Sequence, residues 1–196
     1  MRPRRPAYQA GHYYHLYNRG ANRESIFREK DNYVFVLGKI KRYCVELALT
    51  LIAYCLMPNH YHWLVRQDGE QPAGLLAQRV FNSYTKAFNK RYERSGTLFE
   101  GPYKVVQVDD EAHLLHLCRY IHANPVKDGL VAEISEWPYS NYPEWVELRP
   151  GTLVDRAFVQ EHFTAASYGA FVQEYLCEKK LSPELAGYLS AWKIEG

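Results

Sequence analysis

Residues 49–66 contain two strongly apolar segments, LTLIAYCLMP and HYHWLV, that meet at Pro58-Asn59. Each segment has the length and the aromatic and aliphatic content of a strand, and the Pro-Asn pair is a turn signal. The two segments therefore predict a β-hairpin. Apolar strands of this kind must be covered by other elements, so the neighbouring pattern decides the fold class.

The segments around the hairpin alternate between strand and helix patterns. In chain order the sequence predicts a strand (12–20), a helix (31–47), the hairpin (50–66), a basic amphipathic helix (75–94), a short strand within 98–108, and a helix from Asp109 or Asp110 to about Ala123. We expect Asn124-Pro125 to end this last helix. The order predicts an α+β protein with a ferredoxin-like antiparallel sheet and helices on one face.

The composition changes after Leu148-Arg149-Pro150-Gly151. Short helical patterns follow at 153–163, 167–180 and 182–192. The chain is therefore divided into a domain at 1–150 and a small helical C-terminal extension at 151–196.

The sequence lacks the marks of a membrane or exported protein. It has no apolar run of the ~18 residues that a membrane helix needs, and MRPRRPAY at the start has no apolar signal-peptide segment. The four cysteines occur singly, which is typical of reduced thiols. These features predict a cytoplasmic protein without a membrane partner.

The charge is distributed unevenly along the chain. Residues 1–107 carry 17 Lys and Arg against 8 Asp and Glu, whereas residues 108–196 carry 7 against 14. The basic part also contains many aromatic residues, which suit stacking on unpaired bases. A polyanionic partner such as nucleic acid is one interpretation, and a simply soluble surface is the other.

His60 and His62 lie two positions apart in the second strand of the hairpin. Successive strand residues alternate faces, so both imidazoles leave the same face. They are either partly buried structural histidines or a pair of metal ligands. Two histidines are too few for a structural zinc site, so a metal here would be an open ion such as Mg²⁺ or Mn²⁺.

Tyr120 and Asn124 are four residues apart and share one face of the predicted helix. A tyrosine beside a carboxamide and near a metal is a candidate nucleophile, although its free phenol has a pKa of ~10. The alternative is that Tyr120 packs in the core with its hydroxyl hydrogen-bonded.

Three separated motifs occur in order: MPNHYHWLV (57–65), YTKAFNKRYERSGTLFEGPYK (84–104) and RYIHANPVKDGLV (119–131). Together they resemble the REP-associated tyrosine transposases, which belong to the single-tyrosine HUH transposase superfamily. The resemblance extends over about residues 12–145. It departs from the family at GPYK, where members often have GRYK, and at NPVKDG, where they often have NPVRAG.

The resemblance implies a metal-dependent single-strand DNA endonuclease and strand transferase. It implies His60, His62 and Asn124 as ligands of Mg²⁺ or Mn²⁺, Tyr120 as the nucleophile that forms a 5′-phosphotyrosine link, and a hairpin formed by a palindromic repeat as the substrate. Two alternatives stay open: a non-catalytic DNA- or RNA-hairpin-binding regulator on the same fold, and a hydrolase that uses water.

Basic and polar residues outside the catalytic set are expected to contact DNA, since cations neutralise phosphates. The candidates are Arg2, Arg4, Arg5, Asn18, Arg19, Arg79, Lys86, Lys90, Arg91 and Lys104. Superfamily relatives can form dimers that share tyrosines. Here the acidic C-terminal segment could cover a dimer surface, so we expect a monomer rather than a homodimer.

Overall fold

The computed structural model describes residues 6–177. Its main elements are β1 (Tyr13–Arg19), α1 (Lys30–Glu46), β2 (Leu49–Leu56), β3 (His60–Gln67), α2 (Gly74–Arg91), β4 (Lys104–Val108), α3 (Glu111–Lys127), α4 (Tyr142–Trp145), α5 (Arg156–His162) and α6 (Ala165–Cys177). The predicted strands and the first two helices are confirmed to within about three residues.

The four strands form one antiparallel sheet in the order β2-β3-β1-β4. The predicted hairpin is β2–β3, and its register is irregular between Leu51 and Ala53. On its other side β3 pairs with β1, so that Tyr17 lies opposite His62 and Asn18 lies opposite Tyr61. The strand that carries the two histidines is therefore an inner strand.

Helices cover both faces of this sheet. On one face Tyr61 and Trp63 belong to the core that α1 and α2 complete, and the ring of Trp63 stacks on Phe81 of α2 at 5.1 Å. On the other face Ala53 and Leu64 pack with α3, α5 and α6. The predicted α+β class is confirmed. The predicted cover of helices on one face is formed by α1 and α2, and α3, α5 and α6 cover the other face as well. Since β2 is apolar at nearly every position, both of its faces need a cover.

Helix α3 does not end at Asn124-Pro125, as the sequence predicts, but continues to Lys127. Pro125 has no N–H to donate to the carbonyl of Ile121, four residues earlier. The side-chain amide of Asn124 lies 3.5 Å from that carbonyl oxygen and donates to the Tyr120 carbonyl oxygen at 2.6 Å. At the other end of the helix, Asp110 is the N-cap and accepts from the His113 N–H at 2.9 Å.

Helix α6 packs along α3. The guanidinium carbon of Arg119 lies 4.4 Å from the centre of the Phe171 ring. Lys127 donates from Nζ to the Tyr175 hydroxyl at 2.8 Å. The extension predicted from residue 151 thus contacts the preceding domain through α3, and its third predicted helix, at 182–192, lies outside the described residues.

Two smaller predictions concern cysteines and membranes. All four cysteines are unpaired; Cys44, Cys55 and Cys118 are buried and Cys177 is exposed. Within residues 6–177, no helix combines the length and apolar character that crossing a bilayer requires.

Candidate active site between β3 and α3

His60 and His62 share one face of β3, as their spacing predicts. Their rings meet edge to face with centroids 5.2 Å apart. Both side chains are almost fully enclosed, with exposed fractions of 8% and 1%. Because β3 is an inner strand, neighbours on both sides hold the pair in place.

Helix α3 brings Tyr120 to this pair. The Tyr120 ring stands edge to face with His62, with centroids 5.4 Å apart, and is 8% exposed. One helical turn later, the Asn124 side chain interacts with both the His60 ring and the Tyr120 hydroxyl. The four candidate catalytic residues, which come from two elements 60 positions apart in the chain, therefore meet in one cluster.

The hydrogen bonds of His60 and Asn124 leave one atom of each side chain with a lone pair that can bind a ligand. The His60 Nδ1 atom lies 2.7 Å from the Asn59 Oδ1 atom. Since an amide oxygen can only accept, Nδ1 carries the proton and Nε2 keeps its lone pair. The Asn124 Nδ2 atom donates to the helix backbone, so Oδ1 is the atom left for the site.

His62 has a similar arrangement. Its Nδ1 atom lies 2.9 Å from Nε2 of His15, and its own Nε2 is buried without a hydrogen-bond partner in the described part of the chain. A buried nitrogen of this kind is costly unless something binds it.

These ligand atoms fit an open cation site, in which other molecules complete the coordination, better than a closed site made of protein ligands alone. Among residues 6–177, no group of three or more His, Cys, Asp and Glu side chains could hold a metal ion. Two imidazoles and one amide oxygen nevertheless match the nitrogen and oxygen ligands of Mn²⁺ or a similar ion, with substrate and water oxygens completing the coordination.

Burial sets the protonation of the cluster. It lowers the pKa of His60 to about 4, and the Asn124 side chain opposes this effect because it favours the protonated ring. Burial and the neighbouring histidines lower the pKa of His62 well below its ordinary value. Burial also raises the pKa of Tyr120. At neutral pH both imidazoles are therefore neutral, as metal binding requires, and the isolated chain holds Tyr120 as the phenol.

Sequence reasoning missed His15 and Tyr17, which lie on β1 beside the cluster. Their rings stack at 4.7 Å, and His15 stacks on His62 at 5.1 Å. The alternation of the first strand already places His15 and Tyr17 on one face. Only the order of strands in the sheet, however, shows that this face adjoins His62.

The predicted DNA contacts are spread over both faces of the sheet. Lys104 lies near the cluster, with Nζ 5.7 Å from the centre of the Tyr17 ring. Lys86 and Lys90 are exposed on α2, which covers the opposite face. Three arginines are engaged with carboxylates: Arg19 with Glu100 at 3.0 Å, Arg79 with Glu46 at 3.6 Å, and Arg91 with Glu29. Asn18 donates to the Gly101 carbonyl oxygen at 2.9 Å. Arg2, Arg4 and Arg5 lie outside the described residues.

Comparison with known proteins identifies the family. Residues 8–124 match the family model described as "Transposase IS200 like". The chain belongs to the IS200-like transposase family. The family resemblance predicted from the three motifs is thereby confirmed, and it covers the sheet, both histidines, Tyr120 and Asn124.

Several individual proteins are similar to this IS200-like transposase. A candidate REP-associated tyrosine transposase of Haemophilus influenzae is 27% identical over 113 residues, which are 52% of this chain and 64% of that relative. A solved structure of a REP-associated tyrosine transposase bound to a REP hairpin superposes with a TM-score of 0.64 at 20% identity, over 79% of this chain and 94% of that one. At this identity the superposition supports the fold. A candidate transposase from Deinococcus radiodurans has a TM-score of 0.39.

Proposed function

We propose that this chain is a metal-dependent single-strand DNA endonuclease and strand transferase that acts on hairpin-forming repeat DNA through a 5′-phosphotyrosine intermediate. Membership of the transposase family supports the general class. The observation that carries the finer assignment is the position of Tyr120, with its ring 5.4 Å from His62 and Asn124 one turn away.

His60 Nε2, His62 Nε2 and Asn124 Oδ1 would hold a divalent cation, Mg²⁺ or Mn²⁺. When bound, such a cation attracts a non-bridging oxygen of the scissile phosphate and stabilises the negative charge of the transition state. The buried Nε2 of His62, which has no hydrogen-bond partner among the residues that the structure describes, supports this proposal. The low pKa of His60 supports it too, because protons then compete weakly for the ligand nitrogen.

In the proposed reaction the Tyr120 oxygen attacks phosphorus. A bond forms between the phenol oxygen and phosphorus, and the bond from phosphorus to the 3′ oxygen breaks. The phenol loses its proton, and the departing 3′ oxygen takes one up as a hydroxyl. The phosphotyrosine link retains the phosphoester energy, so a 3′-hydroxyl can reverse the step and join strands without ATP.

The proposed substrate is single-stranded DNA that carries a hairpin. The solved relative is bound to a REP hairpin, and exposed Lys86, Lys90 and Lys104 give this chain cations for a phosphate backbone. We assign the active form as a monomer with Tyr120 acting in its own site. In support of this assignment, α6 holds α3 through the bonds of His122 to Tyr168 and of Lys127 to Tyr175.

A covalent adduct assay tests the proposed chemistry. The full chain is incubated with end-labelled hairpin-bearing single strands and Mn²⁺, and we expect a denaturation-resistant protein–DNA adduct that Tyr120→Phe abolishes. Tyr43→Phe, on α1 at the opposite face of the sheet, is the matched control and should keep the adduct. An adduct with Tyr120→Phe would refute the assigned nucleophile.

The same assay separates the alternatives. Free 5′-phosphate ends without an adduct would indicate a hydrolase that uses water. Tight hairpin binding without any cleavage would indicate a non-catalytic regulator. Mixing His60→Ala with Tyr120→Phe tests the monomer: restored activity would require sites shared between two chains.

A further inference from the structure

A second pocket, with a volume of about 220 Å³, lies between α2 and the segment that leads into β4. Tyr61 lines it. Tyr61 stands between His60 and His62 on β3 and therefore points to the opposite face of the sheet. Its cross-strand partner Asn18 also lines the pocket. The pocket and the candidate active site thus lie back to back on the same two inner strands.

Polar groups line this pocket. Tyr61 is fully buried, and its hydroxyl has no hydrogen-bond partner in the described part of the chain. Gln78, Asn82 and Thr85 follow one another at helical spacing along α2 and line the same pocket. The amides of Gln78 and Asn82 are exposed and can donate to and accept from a ligand, whereas the Tyr61 hydroxyl is enclosed.

Aromatic rings form the remaining walls. The Phe81 ring lies 4.5 Å from that of Tyr61 and 4.7 Å from that of Phe99, between ring centres. Phe99 is only half-buried, so part of its ring faces the opening. The pocket therefore combines flat apolar surfaces with amide and hydroxyl groups at their edges.

The charge distribution distinguishes between possible ligands. Among the residues that the structure describes, no charged side chain lines this pocket. The cations stand beside it in sequence: Arg19 follows Asn18, Arg79 follows Gln78 and Lys104 follows Tyr103. A phosphate would need a cation inside, and a purely apolar ligand would leave the amides unpaired. A nucleobase has both a flat face for the rings and a polar edge for the amides.

We propose that this pocket binds one unpaired nucleobase of the DNA strand on which the site acts. The proposal rests on the proposed function and deepens it. The volume is below the ~300 Å³ lower end of clefts for drug-sized ligands, which suits a single base. Phe99 stacks on the base, and Gln78 and Asn82 read its edge.

A groove with a volume of about 480 Å³ adjoins the pocket and shares Phe99 with it. Its lining includes Arg19 and Arg23 together with Glu100, the carboxylate that pairs with Arg19. Arg19 pairs across the sheet with His60. A DNA strand that follows this groove therefore passes round the end of the β-sheet, with one base in the pocket and a later phosphate near His60.

Removal of single bases from the DNA tests the proposal. A hairpin-bearing single strand is first selected from a randomised pool with the wild-type chain. Its unpaired positions are then made abasic one at a time, and binding is measured by fluorescence anisotropy in EDTA, so that metal chemistry plays no part. For wild type we expect one position at which base removal weakens binding about 5- to 150-fold, which corresponds to the energy of one stacked base.

The pocket variant combines Gln78→Ala with Asn82→Ala, both at exposed positions that the fold tolerates. We expect it to bind the intact strand more weakly by a similar factor and to lose its sensitivity at that one position. Gln173→Ala, an exposed amide on α6, is the matched control and should behave as wild type. If the pocket variant keeps the wild-type abasic profile, no base enters this pocket.

Tyr61→Phe is a control for the enclosed wall of the pocket. Because its hydroxyl is buried and has no hydrogen-bond partner in the described part of the chain, we expect equal or greater stability in urea denaturation and wild-type binding of the intact strand. Weaker binding by this variant with its stability retained would contradict the assignment of the base edge to Gln78 and Asn82. A wild-type chain that selects no DNA would refute the proposed function itself, whereas normal binding with an unchanged profile would refute only the pocket.

Discussion

His15 provides the sharpest test of how the site is built. It is fully buried, and its Nε2 lies 2.9 Å from the Nδ1 atom of His62. Metal binding at His62 Nε2 requires the proton on Nδ1, and His15 Nε2 is then the acceptor that keeps the proton there. His15→Phe retains a ring of similar size but removes this partner.

Two effects of His15→Phe follow from this geometry. The buried Nδ1 atom of His62 loses its hydrogen-bond partner, whichever of the two rings donates, which costs about 1–3 kcal/mol of unfolding free energy. Loss of a partner that orients a ligand typically weakens metal binding about 10- to 100-fold, equivalent to about 1.4–2.7 kcal/mol. Urea denaturation measures the first effect, and calorimetric titration of the metal-free chain with Mn²⁺ measures the second.

His15→Gln is the matched rescue variant. Its amide oxygen can accept from His62 Nδ1, so we expect it to recover most of the Mn²⁺ affinity. Wild-type affinity in His15→Phe would refute the reasoning. So would a His15→Gln variant that binds Mn²⁺ no better than His15→Phe, because the missing hydrogen bond would then not be the cause.

Two further predictions concern stability. In the metal-free chain, burial lowers the pKa of His15 to about 3 and those of His60 and His122 to about 4, whereas unfolded histidines titrate near 6.5. Between pH 6.5 and 4 the unfolded chain therefore binds more protons than the folded chain. As the pH is lowered through this range, the unfolding free energy should decrease by up to about 3 kcal/mol for each of these groups. Urea denaturation in EDTA at several pH values measures this decrease. His122→Gln should show a shallower dependence of the unfolding free energy on pH. An unfolding free energy that stays constant from pH 7 to 4.5 would contradict the prediction. Asn141→Ala should lower the unfolding free energy by about 3 kcal/mol, because the buried Asn141 amide bonds to several groups at once. Its Oδ1 accepts from the Tyr54 N–H at 2.8 Å and lies 2.9 Å from His122 Nε2. Its Nδ2 donates to the Ile52 carbonyl oxygen at 2.8 Å. Gln173→Ala is the exposed control, and equal denaturation midpoints for the two variants would show that these buried groups find other partners.

Much of the architecture could be read from local pattern. Apolar periodicity predicted the four strands and the first two helices, since the alternation of a strand and the turn of a helix are properties of neighbouring residues. The same alternation placed His60 and His62 on one face. Helical spacing placed Tyr120 and Asn124 on another. The predicted end of α3 was wrong because a side-chain amide of Asn124 near the Ile121 carbonyl offsets a missing backbone donor, which a rule about proline does not include.

What the chain alone determined was therefore which groups share a strand or a helix face. The tertiary structure decided which faces meet. It set β1 beside β3, which gave His62 its partner His15, and it placed α3 on the face opposite α1 and α2, which brought Tyr120 to the histidines. It also enclosed the Tyr61 hydroxyl behind them, without a hydrogen-bond partner in residues 6–177. These contacts join residues 47 to 60 positions apart, and a periodicity that repeats every two to four residues carries no information about them.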